Sequence, residues 1–117
     1  MGGEPLLRKD LAKCGRQLRE HGFRWGMVTN GYAYDEMMHT QLIAAGMGAI
    51  TVSLDGLEEN HNWLRNNAKS FERAVKALEL IASCSRLNYD VVTCVHQKNI
   101  SELPALKEFL IYRNIKT

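Results

Sequence analysis

Two kinds of hydrophobic periodicity alternate along the chain, and this alternation limits the possible folds more than any other feature of the sequence. Short runs rich in β-branched residues predict strands at 23–29, 49–54 and 89–95. Around and between them, apolar residues at helical spacing predict helices that begin near Leu7, Tyr34, Ser70 and Ser101. The chain therefore repeats one unit, a strand followed by a helix.

This repeat predicts an α/β fold built from parallel βα repeats. A strand, a helix and a second strand in succession form a right-handed unit in which the two strands lie parallel. The predicted strands are almost continuously apolar, as expected when a parallel sheet is covered on both faces. We treat 1–117 as one domain, since this length is sufficient for a single core. Residues 57–67 are polar and predict a long functional loop before the third helix.

Each predicted strand ends in polar residues. The three exits read Thr29-Asn30-Gly31, Ser53-Leu54-Asp55-Gly56 and Val95-His96-Gln97-Lys98-Asn99. Because the carboxyl ends of parallel strands meet at one rim, these hydroxyl, amide and carboxylate groups are expected to converge. This pattern favours a polar ligand site at the rim over three unrelated turns.

Composition excludes several other functions. The net charge of +2 and the absence of a basic stripe with interleaved aromatic residues argue against a nucleic-acid partner. No apolar run approaches the roughly 18 residues that a membrane span needs, and no secretory leader is visible, so we expect no membrane partner and a cytoplasmic location.

The three cysteines, Cys14, Cys84 and Cys94, are too widely spaced for a zinc site and odd in number for a disulfide framework. We expect Cys14 and Cys94 to be small buried residues and Cys84 to mark the end of a helix. The four histidines show no close ligand spacing. The sequence therefore predicts no metal site made from this chain alone.

A series of short motifs points to a family. Gly2-Gly3-Glu4-Pro5 precedes the first predicted helix, Thr29-Asn30-Gly31 and Ser53-Leu54-Asp55-Gly56 follow two strands, and His61-x-x-x-Arg65 stands before Ser70-Phe71. In this order and spacing, the series resembles the radical SAM superfamily, in particular the protein and peptide modifiers that include sulfatase-maturating enzymes and pyruvate formate-lyase activase-like proteins. The resemblance implies a partial (β/α) TIM-type barrel.

The resemblance also implies a cofactor chemistry. S-adenosylmethionine (SAM) binds a [4Fe–4S] cluster in these enzymes, and its reductive cleavage gives a 5′-deoxyadenosyl radical that acts on a protein or peptide substrate. By this resemblance, Gly3 and Glu4 bind the methionine amino group and Arg65 binds the carboxylate. The remaining residues implied at the cofactor are Thr29, Asn30 and Ser53 at the strand ends, Asp55 at a ribose hydroxyl, and Val95 at the adenine. A plain turn, strand-end caps, a loop cap at Asp55 and a solvated Arg65 stay open as alternatives.

The chain departs from the family pattern at the cluster. The superfamily holds its cluster with C-x-x-x-C-x-x-C ahead of the Gly-Gly-Glu-Pro motif, and no pair among the three cysteines here has that spacing. We therefore expect a partial barrel without the cluster-binding strand and the C-terminal end, with no catalytic residue of its own and no activity by itself. The alternative function is a non-catalytic module that forms a homodimer, or swaps elements, through exposed sheet edges. A barrel enzyme for phosphate or sugar is a weaker third possibility.

Overall fold

A computed structural model describes residues 3–116. Three strands alternate with five α-helices, and a short 3-10 helix precedes the first and the last α-helix. The strands are β1 (Trp25–Thr29), β2 (Met47–Ser53) and β3 (Asn88–Val92). The helices are α1 (Leu11–Glu20), α2 (Glu36–Ala44), α3 (Glu58–Arg65), α4 (Ser70–Ala82) and α5 (Leu103–Tyr112), with 3-10 turns at Pro5–Leu7 and Ile100–Glu102.

The sheet is parallel, in the order β1-β2-β3. Val28 lies beside Thr51 and Thr51 lies beside Asp90, so the three strands end at one level. The prediction of an α/β fold with parallel βα repeats is confirmed. This register brings the polar exits of β1, β2 and β3 to a single rim, where ligands bind in parallel α/β folds.

The two faces of the sheet differ sharply in burial. Ile50 and Val52 point to the helical side and are 1% and 0% exposed, packed in a core with Leu42 and Leu78. On the opposite face, Val28 and Val92 remain 60% and 47% exposed. The Thr51 hydroxyl donates to the Asp90 carboxylate across that face. Within residues 3–116, the helices therefore cover one side of the sheet only.

Helix α1 packs differently from the predicted apolar stripe. The helix predicted to begin near Leu7 begins at Leu11, and the apolar residues Leu7 and Leu18 are 76% and 42% exposed. The buried position of the helix is instead Gly15, where a Cβ atom would lie 2.2 Å from the Trp25 ring. The indole occupies the space between α1 and the sheet and donates from Nε1 to the Ala45 carbonyl oxygen at 3.1 Å.

The prediction that residues 57–67 form a loop is wrong, because most of this segment is helix α3. Glu58 and Glu59 stand in its first turn and Arg65 in its last, which favours the helix dipole at both ends. The helix ends at Asn66, whose φ of 53° is the left-handed conformation that asparagine tolerates at a helix end. Its only buried residue is His61, so the hydrophobic periodicity that identified the other helices is missing here.

Smaller corrections concern caps and ends. Ser70 is the first residue of α4 rather than its cap, and Cys94 is exposed rather than buried. Ile115, after the last helix, packs into the core at 2% exposure. None of the helices that the structure describes between residues 3 and 116 has the length and apolar character of a membrane span.

Candidate functional site

A cavity of about 230 Å³ lies at the carboxyl ends of β1 and β2. We call it the strand-end cavity. Six of the residues predicted to bind the cofactor line it, although they come from four separate parts of the chain: Gly3, Glu4, Thr29, Asn30, Ser53 and Arg65. Pro5 and Val28 complete its wall. The exits of β1 and β2 therefore meet at one concave surface, whereas no residue of the predicted exit 95–99 lines it.

Glu4 is fixed in this wall by three donors. The Asn30 backbone N–H donates to Oε1 at 2.8 Å, and the Leu6 backbone N–H donates to Oε2 at 3.1 Å. The Thr29 hydroxyl also donates to Oε2. Each carboxylate oxygen can accept more than one hydrogen bond, so Oε1 keeps acceptor capacity toward the cavity. No cation pairs with Glu4 within residues 3–116.

Thr29 acts on Glu4 rather than presenting a free hydroxyl. Its side chain is 2% exposed, and its oxygen also accepts the Gly31 backbone N–H at 3.1 Å. This geometry agrees with the strand-end alternative for Thr29. Ser53, by contrast, is half-buried at the end of β2 and lies on the open face of the sheet beside Val92.

Arg65 reaches the cavity from the last turn of α3 and is held there by Asp55. Its Nε and Nη2 atoms lie 3.1 and 2.8 Å from Asp55 Oδ2. The Arg65 side chain is 33% exposed, whereas that of Asp55 is 2% exposed. Nη1 makes no hydrogen bond to any residue in the range 3–116, so one face of the guanidinium is available to an anion.

Asp55 uses both oxygens inside the chain. Oδ2 holds Arg65, and Oδ1 accepts the Cys94 backbone N–H at 2.9 Å. A carboxylate in this position orients Arg65 and ties the exit of β2 to the exit of β3. The structure thus agrees with the loop-capping alternative for Asp55, and the ribose contact stays a prediction. Val95 lies beyond the end of β3, is 53% exposed, and does not line the strand-end cavity.

Sequence reasoning missed two buried polar residues behind the site. Asn99 is 0% exposed, and its Nδ2 donates to the Asp55 and Cys94 carbonyl oxygens at 2.6 and 2.9 Å. His61 is also 0% exposed, and its Nδ1 accepts the Asp55 backbone N–H at 2.9 Å. Burial lowers the pKa of His61, because the charged imidazolium would lose its hydration there. The sequence signals were the His61-x-x-x-Arg65 spacing and the polar strand exit that contains Asn99, and neither one predicted these contacts.

Gly56 packs closely against a neighbouring carboxylate. A Cβ atom at this position would lie 2.4 Å from Glu102 Oε1. The same oxygen accepts the Leu57 backbone N–H at 2.8 Å. The segment that follows β3 therefore helps to hold the turn after β2 in place.

Two further cavities help to delimit the site. One of about 240 Å³ shares Glu4, Asn30 and Arg65 with the strand-end cavity and is also lined by His61. A larger one, of about 570 Å³, is lined by side chains of both charges around α2 and α4 and by no strand residue. The convergence of strand exits selects the strand-end cavity as the candidate site.

The residues of this cavity fit the amino-acid part of SAM. An unpaired carboxylate and a guanidinium with one free edge face the same space, which suits a ligand that carries both an ammonium and a carboxylate group. The same residues do not fit an iron–sulfur cluster, which needs thiolates. Among residues 3–116, no three histidine, cysteine, aspartate or glutamate side chains are grouped so as to hold a metal ion.

Comparison with known proteins agrees with this geometry. Fe-coproporphyrin III synthase from Methanosarcina barkeri is 31% identical over 111 residues, which make up 93% of this chain and 27% of that protein. AdoMet-dependent heme synthase from Methanosarcina barkeri is 31% identical over 103 residues, or 87% of this chain and 29% of the relative. PqqA peptide cyclase from Granulibacter bethesdensis is 31% identical over 111 residues, or 92% and 29%.

The chain thus spans less than a third of the length of each of these relatives. The family model of the radical SAM superfamily matches residues 1–110, nearly the whole chain. With the parallel sheet and the strand-end cavity, this match shows that the chain belongs to the radical SAM superfamily.

Proposed function

We propose that the strand-end cavity binds the amino-acid part of SAM. The observation that carries this proposal is the pair of opposite charges on one cavity: Glu4, which no cation neutralises within residues 3–116, and Arg65, whose Nη1 is free within the same range. Glu4 would accept hydrogen bonds from the ammonium group, and the free edge of Arg65 would donate to the carboxylate. Ser53 would contribute a hydroxyl from the end of β2.

In this superfamily, bound SAM supplies a 5′-deoxyadenosyl radical after reductive cleavage. The residues of this chain would contribute by binding and orientation. Glu4 is preorganised by its three donors, and Arg65 by the buried carboxylate of Asp55. A ligand that enters therefore meets groups already held in place, and it does not have to order them.

We propose further that the [4Fe–4S] cluster is held by residues outside this chain. Two observations support this proposal. The three cysteines do not have the C-x-x-x-C-x-x-C spacing, and the chain covers only 27% to 29% of the length of its relatives. The 117 residues by themselves are then expected to form no radical. The natural protein that contains them would be the active species.

The proposed substrate is a peptide or protein. The similarity to a PqqA peptide cyclase supports this class. With the cluster-loaded natural protein, formation of 5′-deoxyadenosine should rise when a peptide substrate is added. A rise with a tetrapyrrole alone would overturn the peptide proposal, and it would connect the protein to the function in the names of the other two relatives.

The binding site is tested by comparing SAM with 5′-methylthioadenosine, which lacks the amino-acid part. Glu4→Gln and Arg65→Lys should each weaken SAM binding about 10- to 100-fold, the value of a charge-assisted contact. Binding of 5′-methylthioadenosine should stay unchanged. Glu72→Gln and Arg73→Lys are the matched controls, since these exposed charges lie on α4 outside the strand-end cavity. Equal losses for both ligands, or none, would refute the assignment.

A further inference from the structure

The turn at Asp55 is held by three hydrogen bonds from other parts of the chain. Asn99 Nδ2 donates to the Asp55 carbonyl oxygen at 2.6 Å, and the Cys94 N–H donates to Oδ1 at 2.9 Å. The third group is His61, whose Nδ1 accepts the Asp55 backbone N–H at 2.9 Å. With these contacts made, Oδ2 is the oxygen that remains to hold Arg65.

His61 and Arg65 lie four positions apart on α3 and therefore on the same face of the helix. One binds the backbone of Asp55 and the other binds its carboxylate. The helix is thus attached to the exit of β2 at two points, one helical turn apart. Asn60 and Asn62 also tie α3 to Lys98 and Phe71, so loss of the His61 contact would loosen the Asp55 turn that orients the guanidinium rather than release the helix.

The His61 contact works in one protonation state only. An imidazole accepts at Nδ1 when that nitrogen carries a lone pair, so the proton of the neutral ring is on Nε2. The imidazolium has two N–H donors and no acceptor. Protonation would place two donors face to face at Asp55 and add a second cation beside Arg65.

We infer that His61 is a positioning residue for the SAM carboxylate: through the lone pair on Nδ1 it fixes the Asp55 turn, and through Asp55 it fixes Arg65. This inference rests on the proposed function. It assigns to the histidine of the His-x-x-x-Arg motif a task that depends on its tautomer. His61 itself would make no contact with SAM.

The charged groups around the ring define the pH response. Asp55 faces it from the exit of β2, Arg65 from its own helix, and Glu4 from across the cavity that His61 helps to line. From α4, Phe71 meets the ring edge-on and brings no charge. Burial lowers the pKa of His61, so the lone pair persists at neutral pH and is lost on acidification. SAM binding should therefore weaken as the pH falls below the ordinary range of a histidine.

Two substitutions at His61 show which of its two ring nitrogens is needed. The Oδ1 atom of asparagine stands close to the position of Nδ1, and it can accept the Asp55 N–H. The longer glutamine places its amide near Nε2 instead. In the natural full-length protein, His61→Asn should keep SAM affinity within about 3-fold, whereas His61→Gln and His61→Leu should weaken it about 10-fold, the usual effect of one buried hydrogen bond. His21→Asn, at the exposed end of α1, is the matched control.

A double-mutant cycle distinguishes positioning from general loosening of the fold. If His61 acts through Arg65, His61→Gln should add almost nothing to the loss of SAM affinity in an Arg65→Lys protein. Additive losses would overturn the inference. The thermal midpoint of each variant is measured alongside, and a destabilised His61→Asn that still binds SAM would support positioning. Loss of SAM binding in both His61→Asn and His61→Gln would contradict it.

The pH arm uses the wild-type protein and His61→Asn side by side. SAM dissociation constants are measured by equilibrium dialysis from pH 5 to 8, a range that brackets the ordinary histidine pKa. The ratio of the two constants cancels the titration of SAM itself. This ratio should change only at the acidic pH values, because His61 becomes protonated there and asparagine does not titrate. A flat ratio would overturn the inference, while a wild-type protein that binds no SAM at any pH would refute the proposed function instead.

Discussion

The two ends of the strand-end cavity are built in different ways. At one end, Glu4 is held by the Thr29 hydroxyl and by two backbone N–H groups, all of which are neutral donors. At the other, Arg65 is held by a buried carboxylate, which depends in turn on Asn99 and His61. The first end joins two segments of the chain, the turn at Glu4 and the exit of β1, whereas the second joins three.

This difference has consequences for robustness. Neutral donors at Glu4 should respond little to pH or to a single side-chain change. The Arg65 end contains a buried ionised pair, whose disruption leaves an uncompensated charge and is therefore costly. It also contains the one histidine that the structure buries completely within residues 3–116. Stability and cofactor affinity should thus be more fragile at the Arg65 end.

The largest effect is expected at Asp55. Asp55→Ala removes the partner of Arg65 and leaves the Cys94 N–H without an acceptor. We expect a loss of about 3 kcal/mol in the free energy of unfolding, at the low end for a buried pair because Arg65 is partly exposed. Urea denaturation measures it. Glu79→Ala, which breaks the exposed pair with Arg113, should cost below about 0.5 kcal/mol, and equal losses would remove the contrast.

A smaller effect is expected at Thr29. Thr29→Val keeps the shape but removes one donor to Glu4 and the acceptor for the Gly31 N–H. The free energy of unfolding should fall by about 1–2 kcal/mol, with a several-fold loss of SAM affinity. Thr29→Ser retains the hydroxyl and should retain the affinity. If Thr29→Val destabilised the protein as much as Asp55→Ala does, the two ends would not differ.

Part of the pH dependence of stability should come from the Arg65 end, and burial lowers the pKa of His39, outside this end, in the same direction. Because burial lowers the pKa of His61 in the folded chain, the unfolded chain binds more protons near pH 6 than the folded one. The contribution of His61 is present above the unfolded pKa, and it is lost as the pH falls through that value toward the folded pKa. Titration of His61 can change the free energy of unfolding by at most about 1.4 kcal/mol per pH unit. Denaturation between pH 5 and 8 should show this slope in wild type and a shallower one in His61→Asn.

The open face of the sheet should affect association more than stability. We propose that the 117-residue chain by itself forms a homodimer or swaps elements to cover this face, where Val28 and Val92 are exposed. Val28→Lys should shift the chain toward monomer and change the free energy of unfolding by under about 0.5 kcal/mol. Light scattering at tens of micromolar tests this. A wild-type monomer at that concentration would contradict the proposal.

The sequence predicted the parallel sheet and the motif residues because both are local signals. Strand periodicity located β2, and the Gly-Gly-Glu-Pro and Ser-Leu-Asp-Gly motifs located Glu4 and Ser53. It did not reveal α3, since a short helix that buries only His61 has no apolar stripe to detect. It also did not reveal the direction of the Thr29 hydroxyl, which depends on Glu4, 25 positions earlier.

Long-range polar contacts were the least predictable part. Asn99 and Asp55 are 44 positions apart, and nothing in the polar exit 95–99 distinguishes the amide that turns inward from its solvated neighbours. The contacts of Asp55 within the chain were not foreseen for the same reason. A carboxylate after a strand can face either a ligand or the chain, and the choice depends on Cys94 and Arg65.

The contact between Glu102 and the turn at Gly56 has a consequence for engineering. Glu102 fills the space that any side chain at position 56 would need, and it also accepts the Leu57 N–H. Residues inserted or exchanged in the segment after β3 would therefore act on the exit of β2 as well. A graft that moved Glu102 or Asn99 would loosen the support of Arg65, and we expect the proposed SAM binding to weaken with it.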